Sequence, residues 1–551
     1  MRYSLYRFGE AFEAFIIYLV TFTSSSILIY VKYMNIANSS ILQSFFENIT
    51  EYQLLINIFL TFLMVVYHYQ FVNRKKVEIS CRILVGDTST KIVIRYILNS
   101  LSILIVSFLL SFALNIYLKQ SILTNSYLLF IFVIYILISA GQVQKNENIK
   151  FFYNKDFFKR PIFVFSMIAL LFVSNYLSFT AARSIASTYQ GYKEIETVNK
   201  DGNFIANLDP NSDSDFDNIE LTDTQIIYDY LEKNYDYAVH VDGFVTSLPS
   251  KTKMEISLNY LNEESYKLNH FELIQGDALN FNYDRKKDKI PVLIGFGLSE
   301  EFPIGSTIEI NDSVSNDPIT LKVTGILAKN THRSNFYAPN SKSYFNFSIF
   351  IPINEEFIRN SNLDLQVNGL MDIVLLNSTK EKAINLSSYI QDKVGLKFNF
   401  FSQQENFEYF EDYYTNSLKI ISAITLITLI VLTILAIWNT LMSIRLMIKE
   451  FTINLLVGLS YTMLRKIFYS YFGILFSFNV IIVWVITAIN RKQSWLTKDA
   501  NFATYGVFGL IDMDWIALLI VVVIDIIICI VLVEALIKRI KKIPISLGVL
   551  Q

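Results

Sequence analysis

Cysteine is nearly absent, with two in 551 residues, and the pair stand far apart in unlike surroundings. Cys81 lies in a basic segment and Cys529 inside an apolar run, which excludes a disulfide framework: any polar domain must fold without a covalent staple. Histidine is scarce too, with four residues, and His68, His240 and His270 show no ligand spacing, so zinc is unsupported. No Gly-x-x-x-x-Gly-Lys-Ser/Thr occurs, so the chain lacks a phosphate-cradling loop and is not expected to be an enzyme that hydrolyses ATP by that route. The first apolar run follows Arg2 and Arg7 like a secretory leader, but it is too long and no small-residue cleavage site follows it cleanly. It reads as an uncleaved span.

What is abundant sets the class. An apolar fraction of 52%, aromatics at 15% and a mean hydropathy of +0.38 describe a polytopic helical membrane protein. Runs of spanning length predict about eight transmembrane helices, near 11–33, 52–72, 94–117, 126–141, 161–181, 417–440, 466–489 and 515–537. Basic residues crowd alternate connections: Arg74, Lys75, Lys76 and Arg82 in the second, Lys145 to Arg160 in the fourth, Arg445 and Lys449 in the sixth, and Lys538 to Lys542 in the tail. The positive-inside rule then places these connections and both termini in the cytoplasm. The last outward loop opposes the rule, because it carries Arg491, Lys492 and Lys498. Heavy use of Ile, Asn, Lys, Phe and Tyr fits a bacterial chain.

One phrase recurs about 370 residues apart, each time on the expected cytoplasmic side of a span. Lys76-Val-Glu78-Ile-Ser-Cys-Arg82-Ile-Leu-Val-Gly86 returns as Ile448-Lys449-Glu450-Phe-Thr-Ile-Asn-Leu-Leu-Val-Gly458. In both, a Glu stands eight positions before a Gly that ends Leu-Val-Gly, with apolar residues at helical spacing between. The repeat predicts two short amphipathic segments, each ended by a glycine C-cap. Their charges are either docking points for a partner or ordinary solvated juxtamembrane charges.

Between the fifth and sixth expected spans lie about 230 polar residues. Alternating stretches at 253–260, 306–310 and 320–327 predict strands, and 223–234 and 380–394 predict helices, so an α+β domain is expected. Residues 184–198 and 403–418 read as helices continuing the flanking spans, forming a stalk. The region 182–416 carries a net charge of about −15, which attracts cationic ligands or simply reflects depletion of Lys and Arg on the outward side. Within it, Asp209, Asn211, Asp213, Asp215, Asp217 and Glu220 have the oxygen-ligand spacing of an EF-hand loop. Ser214 replaces the turn glycine and no entering helix precedes Asp209, so a disordered acidic insertion competes with calcium binding.

Inside the last span, Asp525 interrupts Val-Val-Val-Ile-Asp-Ile-Ile-Ile-Cys. A carboxyl at that depth is either a helix-packing contact or functional, and Asn479 and Ser477 in the seventh span are its expected partners.

The stretch Ile290-Pro-Val-Leu-Ile-Gly-Phe-Gly-Leu-Ser-Glu-Glu-Phe-Pro-Ile-Gly-Ser-Thr-Ile-Glu-Ile310, with Leu321-Lys-Val-Thr-Gly-Ile-Leu327, resembles the periplasmic-core domain of MacB-like permeases. The phrases ending at Gly86 and Gly458, and the tail Lys541-Lys-Ile-Pro-Ile-Ser-Leu547, resemble FtsX-like permease modules. The chain is similar to the single-chain, two-module ABC permeases of bacterial peptide-resistance systems. The resemblance implies a first FtsX-like four-helix module at 1–145 with a minimal outer loop, a linker and fifth span at 146–181, the extracytoplasmic α+β domain at 182–416, and the remaining three spans at 417–551. It also implies a multi-pass protein of the bacterial cytoplasmic membrane that binds no cofactor itself and works with two copies of a cytoplasmic ATPase carrying the ATP and Mg. Lys76, Glu78, Arg82, Gly86, Lys449, Glu450 and Gly458 would form the docking segments. Peptides, bacteriocins among them, or lipid-linked molecules would be the cargo, with an accessory outer protein as a further partner and no nucleic acid. An FtsX-type scaffold switching a cell-wall hydrolase and a peptide sensor signalling to a membrane kinase are the other functions this resemblance allows.

Overall fold

The computed structural model describes residues 4–33, 40–51, 53–118, 125–145, 156–209, 212, 219–248, 254–284, 289–311, 318–446 and 460–542. The chain divides into a helical unit, 1–182, 419–484 and 517–551, and a sheet unit, 183–418 and 485–516.

Helices occupy each of the eight expected span positions: Phe8–Tyr33, Gln53–Arg74, Ser89–Tyr117, Ser126–Lys145, Asp156–Glu196, Asn416–Leu446, Tyr461–Leu496 and Asp512–Ile540. Six stretches among the described residues are long and apolar enough to cross a membrane, and a seventh arises if Ile56–Val72 and Lys76–Leu84, bent by 40°, count as one. Ser126–Gly141 is shorter. The first outer connection was expected to be a plain loop; it contains a helix, Ser40–Glu51, whose Ile41 and Phe45 are fully buried.

Two apolar cores form within the helical unit. Tyr18, Phe22, Met64, Tyr67, Tyr96, Leu104, Phe132 and Ile136 join the first four of these helices, and Leu171, Leu432, Ala436, Phe468, Phe472, Leu532 and Leu536 join the last four. Trp438 packs on the first core and lies against Tyr67, with ring centroids 6.4 Å apart, tying the two cores together. Residues such as Leu109, Ile434 and Val523 remain exposed on the helix surfaces, as hydrocarbon solvation allows.

The sheet unit holds thirteen described strands. They are β1 (Phe204–Leu208), β2 (Asp236–Ala238), β3 (His240–Leu248), β4 (Met254–Leu261), β5 (Leu273–Gly276), β6 (Ile290–Ile294), β7 (Thr307–Asn311), β8 (Pro318–Leu327), β9 (His332–Asn335), β10 (Ala338–Tyr344), β11 (Ser348–Pro352), β12 (Val374–Leu376) and β13 (Phe398–Phe401). A mixed sheet runs β3-β4-β11-β6-β8-β5, with β7 also on β8, and its β4–β11 and β6–β8 pairs are parallel. A second, antiparallel sheet runs β13-β1-β12-β2, and β9 and β10 form a hairpin. β6 and β11 are buried at every position, as central strands covered on both faces must be. Helices Leu221–Asn234, Leu363–Met371 and Lys380–Val394 present Leu231, Leu370 and Leu386 to this core. The expected strands and helices at 253–260, 306–310, 320–327, 223–234 and 380–394 all lie on observed elements.

His240 opens β3 with 2% exposure, among the rings of Phe271, Phe345 and Phe350 and within 3.1 Å of Asn259 Oδ1. Burial, helped by the nearby Arg333, pushes its imidazole well below the ordinary range. The unfolded chain binds that proton below about pH 6.5 and the folded one does not, so its contribution is complete above that pH and lost as pH falls. Between pH 6.5 and 5.5 the β3 and β4 amides should lose about 1 kcal/mol of hydrogen-exchange protection that His240→Gln keeps. Parallel pH profiles for the two proteins would contradict a neutral buried imidazole.

Candidate functional site

The first half of the repeated phrase folds as a separate helix, Lys76–Leu84, directly after Arg74. Lys75, 4% exposed, joins it to the first helix: its Nζ lies 2.9 Å from both Glu10 and Glu78. Arg82 donates to Glu78 at 2.7 Å and to the Ser4 carbonyl at 3.0 Å. Gly86 ends the segment at φ +100°, where its N–H donates to Ile83 O at 3.0 Å and that of Asp87 to Arg82 O at 3.0 Å. The carboxylate expected to face a partner is therefore tied into its own chain, because two cations within bonding distance satisfy it.

What this helix leaves uncovered is apolar. Val77, Leu84 and Val85 are 75%, 86% and 89% exposed, and Cys81 is exposed between them. The spacing of 77, 81, 84 and 85 places the four on one helical face, the pattern by which a helix enters a partner's groove. Lys76 is exposed beside them. The second copy of the phrase, with Lys449, Glu450 and Gly458, lies outside the described residues.

The sheet unit is gripped by the ends of helices. Asp156–Glu196 is one uninterrupted helix. Within the sheet unit its Gly191 meets the Pro339 backbone on β10, and Ser187 donates to the Asn340 carbonyl at 3.3 Å. Glu194 pairs with His332 at 2.8 Å and with Lys342 at 3.5 Å, and accepts from Ser334. Tyr192 lies against Phe410, with ring centroids 3.9 Å apart. The helix expected at 403–418 is interrupted: Gln403–Tyr409, opened by a Ser402/Glu405 capping box, passes through a π turn at Phe410–Thr415 before Asn416–Leu446. An extra residue in such a turn re-aims the side chains around it, and here the turn carries Phe410 and Tyr414, both buried.

The stretch 485–516 belongs to the sheet unit, and the only sign of this in the sequence was its unexpected cations. Trp495 packs on Phe347 at 4.9 Å, Tyr344 N–H donates to Asn501 O at 2.8 Å, and Asn346 Nδ2 donates to Ala503 O at 2.9 Å. Arg491, the cation that opposed the charge rule, is answered by Asp514, and its guanidinium also donates to Thr504 at 3.1 Å.

Asp525 is 4% exposed, and its Oδ2 accepts from Asn175 Nδ2 at 2.9 Å. The partner lies on the fifth span and not on the seventh: Asn479 donates to Leu475 O at 2.8 Å, one turn back on its own helix. Neither expected partner reaches the acid.

The acidic loop does not make a helix-loop-helix site, since β1 precedes it. Asp209 pairs with Lys397 at 3.0 Å, and Glu220 is the N-cap residue of Leu221–Asn234. Asn211, Asp213, Asp215 and Asp217 lie outside the described residues, and among the described ones no cluster of three metal-ligating side chains forms.

No family model matches the sequence, and no curated protein matches it. Solved structures do. The chain is similar to the periplasmic region of MacB from Actinobacillus actinomycetemcomitans at 13% identity, over 40% of this chain and 98% of that one, with a TM-score of 0.27. It is similar to the extracellular domain of the noncanonic ABC-type transporter YknZ from Gram-positive bacteria at 14% identity, over 36% and 100%, with a TM-score of 0.24. A domain of a putative permease protein from Porphyromonas gingivalis matches at 11% identity, over 36% and 90%, with a TM-score of 0.23.

One polar centre went unmarked in the sequence. His68, fully buried in the first helical core, lies between Tyr18 OH and Tyr96 OH, the latter at 2.7 Å. Its spacing fits no metal site, and a histidine in the interior of an apolar run was the available signal.

Proposed function

We propose that the chain is the membrane subunit of an ATP-driven permease of the MacB and FtsX type, moving force from cytoplasmic ATPases to an extracytoplasmic domain. In this reading the eight helices form two four-helix modules, and both termini and both copies of the repeated phrase face the cytoplasm. Two copies of a separate ATPase hold the ATP and Mg, and this chain binds no cofactor.

The observation that carries the reading is where the chain passes between its units. All four passages, at 182/183, 418/419, 484/485 and 516/517, fall inside described helices and none in a loop. A hydrogen-bonded helix transmits displacement along its axis, whereas a flexible linker absorbs it. The exposed face at Val77, Cys81, Leu84 and Val85 is then the input, and Glu78 is the clamp that keeps its helix in place. Cargo is taken from the outer leaflet or beyond and expelled without a continuous pore. A cationic peptide suits the net charge of about −15 in region 182–416.

With the permease and its ATPase purified as a complex, Leu84→Asp and Val77→Asp should each weaken association by about thirtyfold or more, since a charge then enters an apolar contact (about 2 kcal/mol or more). Cys81→Ser should change little. Retention of full ATPase binding by both aspartate variants would remove the docking assignment, and assembly without any substrate-stimulated ATP turnover would favour the scaffold role.

A further inference from the structure

A groove of about 490 Å³ opens between the Tyr461–Leu496 and Asp512–Ile540 helices. Gly473 leaves room in one wall, where nothing lies within 4 Å of the position of a Cβ. Phe476, Val480, Val522 and Ile526 make most of the surface apolar, Tyr469 and Ser477 also line it, and Asp525 supplies the carboxyl in it. The volume falls in the range of small-molecule sites.

The carboxyl is half satisfied. Oδ2 has the Asn175 amide, while no donor reaches Oδ1. No cation pairs with Asp525 among the described residues, and Arg465, on the same helix pair, is engaged by Glu534 at 2.8 Å. An acid left like this in a hydrocarbon setting is costly, and an N–H donor bearing positive charge removes both deficits at once.

We propose that this groove binds a cationic amphiphile: a primary ammonium on an alkyl chain, with the ammonium donating to Asp525 Oδ1 and the chain lying along the apolar wall. The low exposure of Asp525 selects a slender head, because a quaternary ammonium is too broad to reach the covered oxygen and has no N–H to give. The site requires no ATPase and stands apart from the docking reading, so either can fail alone.

The test uses the full-length protein in nanodiscs of zwitterionic lipid, without nucleotide, and a diazirine-tagged dodecylamine as probe. Photocrosslinks mapped by mass spectrometry should fall on 473–480 and 522–526, and untagged dodecylamine should compete them away. Dodecanol, dodecanoate and the trimethylated amine should not. Asp525→Asn should reduce labelling about tenfold, the worth of a charge-assisted hydrogen bond. Gly473→Leu fills the groove while keeping the acid, and should reduce labelling as much with no loss of thermal stability; it decides the matter if Asp525→Asn proves unstable. Equal competition by the alcohol or the trimethylated amine, or labelling unchanged in Gly473→Leu, would overturn the site and leave Asp525 a helix-packing residue.

Discussion

Replacing Asp514 with alanine is expected to destabilise the sheet unit by about 3–5 kcal/mol. The carboxylate is 0% exposed and holds three groups: Arg491 through Nε at 3.0 Å and Nη2 at 3.1 Å, Arg183 Nε at 3.3 Å, and the Ile511 N–H at 3.3 Å. Arg183, Arg491 and Asp514 come from three different helices, so one side chain joins the ends of all three. Alanine leaves the Arg491 side chain, 12% exposed, as an unpaired cation. That residual charge accounts for most of the loss. Hydrogen exchange across 485–516 in the full-length protein reads the effect directly. Paired replacement, Asp514→Leu with Arg491→Leu, should recover much of it, because the stranded charge goes too. A single alanine variant with unchanged exchange would mean that the fork is ornamental.

The second large effect is at Gly191. A Cβ there would fall on the Pro339 carbonyl oxygen and 2.7 Å from its carbon. Both obstacles are backbone, so no side-chain rotation relieves the clash. Gly191→Leu should lift the helix from the β9–β10 hairpin and break the Glu194 contacts with His332 and Ser334, at a cost of about 1–3 kcal/mol or more. The residue is remote in sequence from Lys76–Leu84, so under the proposed permease reading the variant should still assemble with the ATPase and hydrolyse ATP while losing cargo-stimulated turnover. Wild-type stimulation in Gly191→Leu would rule out force transmission through this seat.

Much of the fold was readable because its signals are local. Apolar runs located the span helices, period-two patterns located β4, β7 and β8, and the glycine that ends Leu-Val-Gly located the end of Lys76–Leu84. Partners distant in sequence were not readable. For Asp525 the neighbouring apolar run offered Asn479 and Ser477 as candidate partners, but Asn175, 350 residues away, takes the bond. Glu78 stood out as a repeated charge, yet charge pattern alone does not reveal that Lys75 and Arg82 consume it. The loop at 485–516 carried the warning that its cations stood on the wrong side. Arg491 in it is a structural cation with a buried counter-ion, Asp514, which charge counting along the chain does not reveal.

The sheet unit is assembled from two separate stretches of chain, with an order of synthesis that matters. When Leu418 leaves the ribosome, the surface formed by Asn330, Tyr344, Asn346 and Phe347 still lacks Trp495, Asn501, Ala503 and Tyr505. Those residues arrive only after the sixth and seventh spans have been made, and Ile516 closes the unit 98 residues after Leu418. At translation rates of about 5–20 residues per second, that is a delay of about 5–20 s. During it the nascent sheet unit presents an open aromatic seat, to be shielded by a chaperone or risked to a protease.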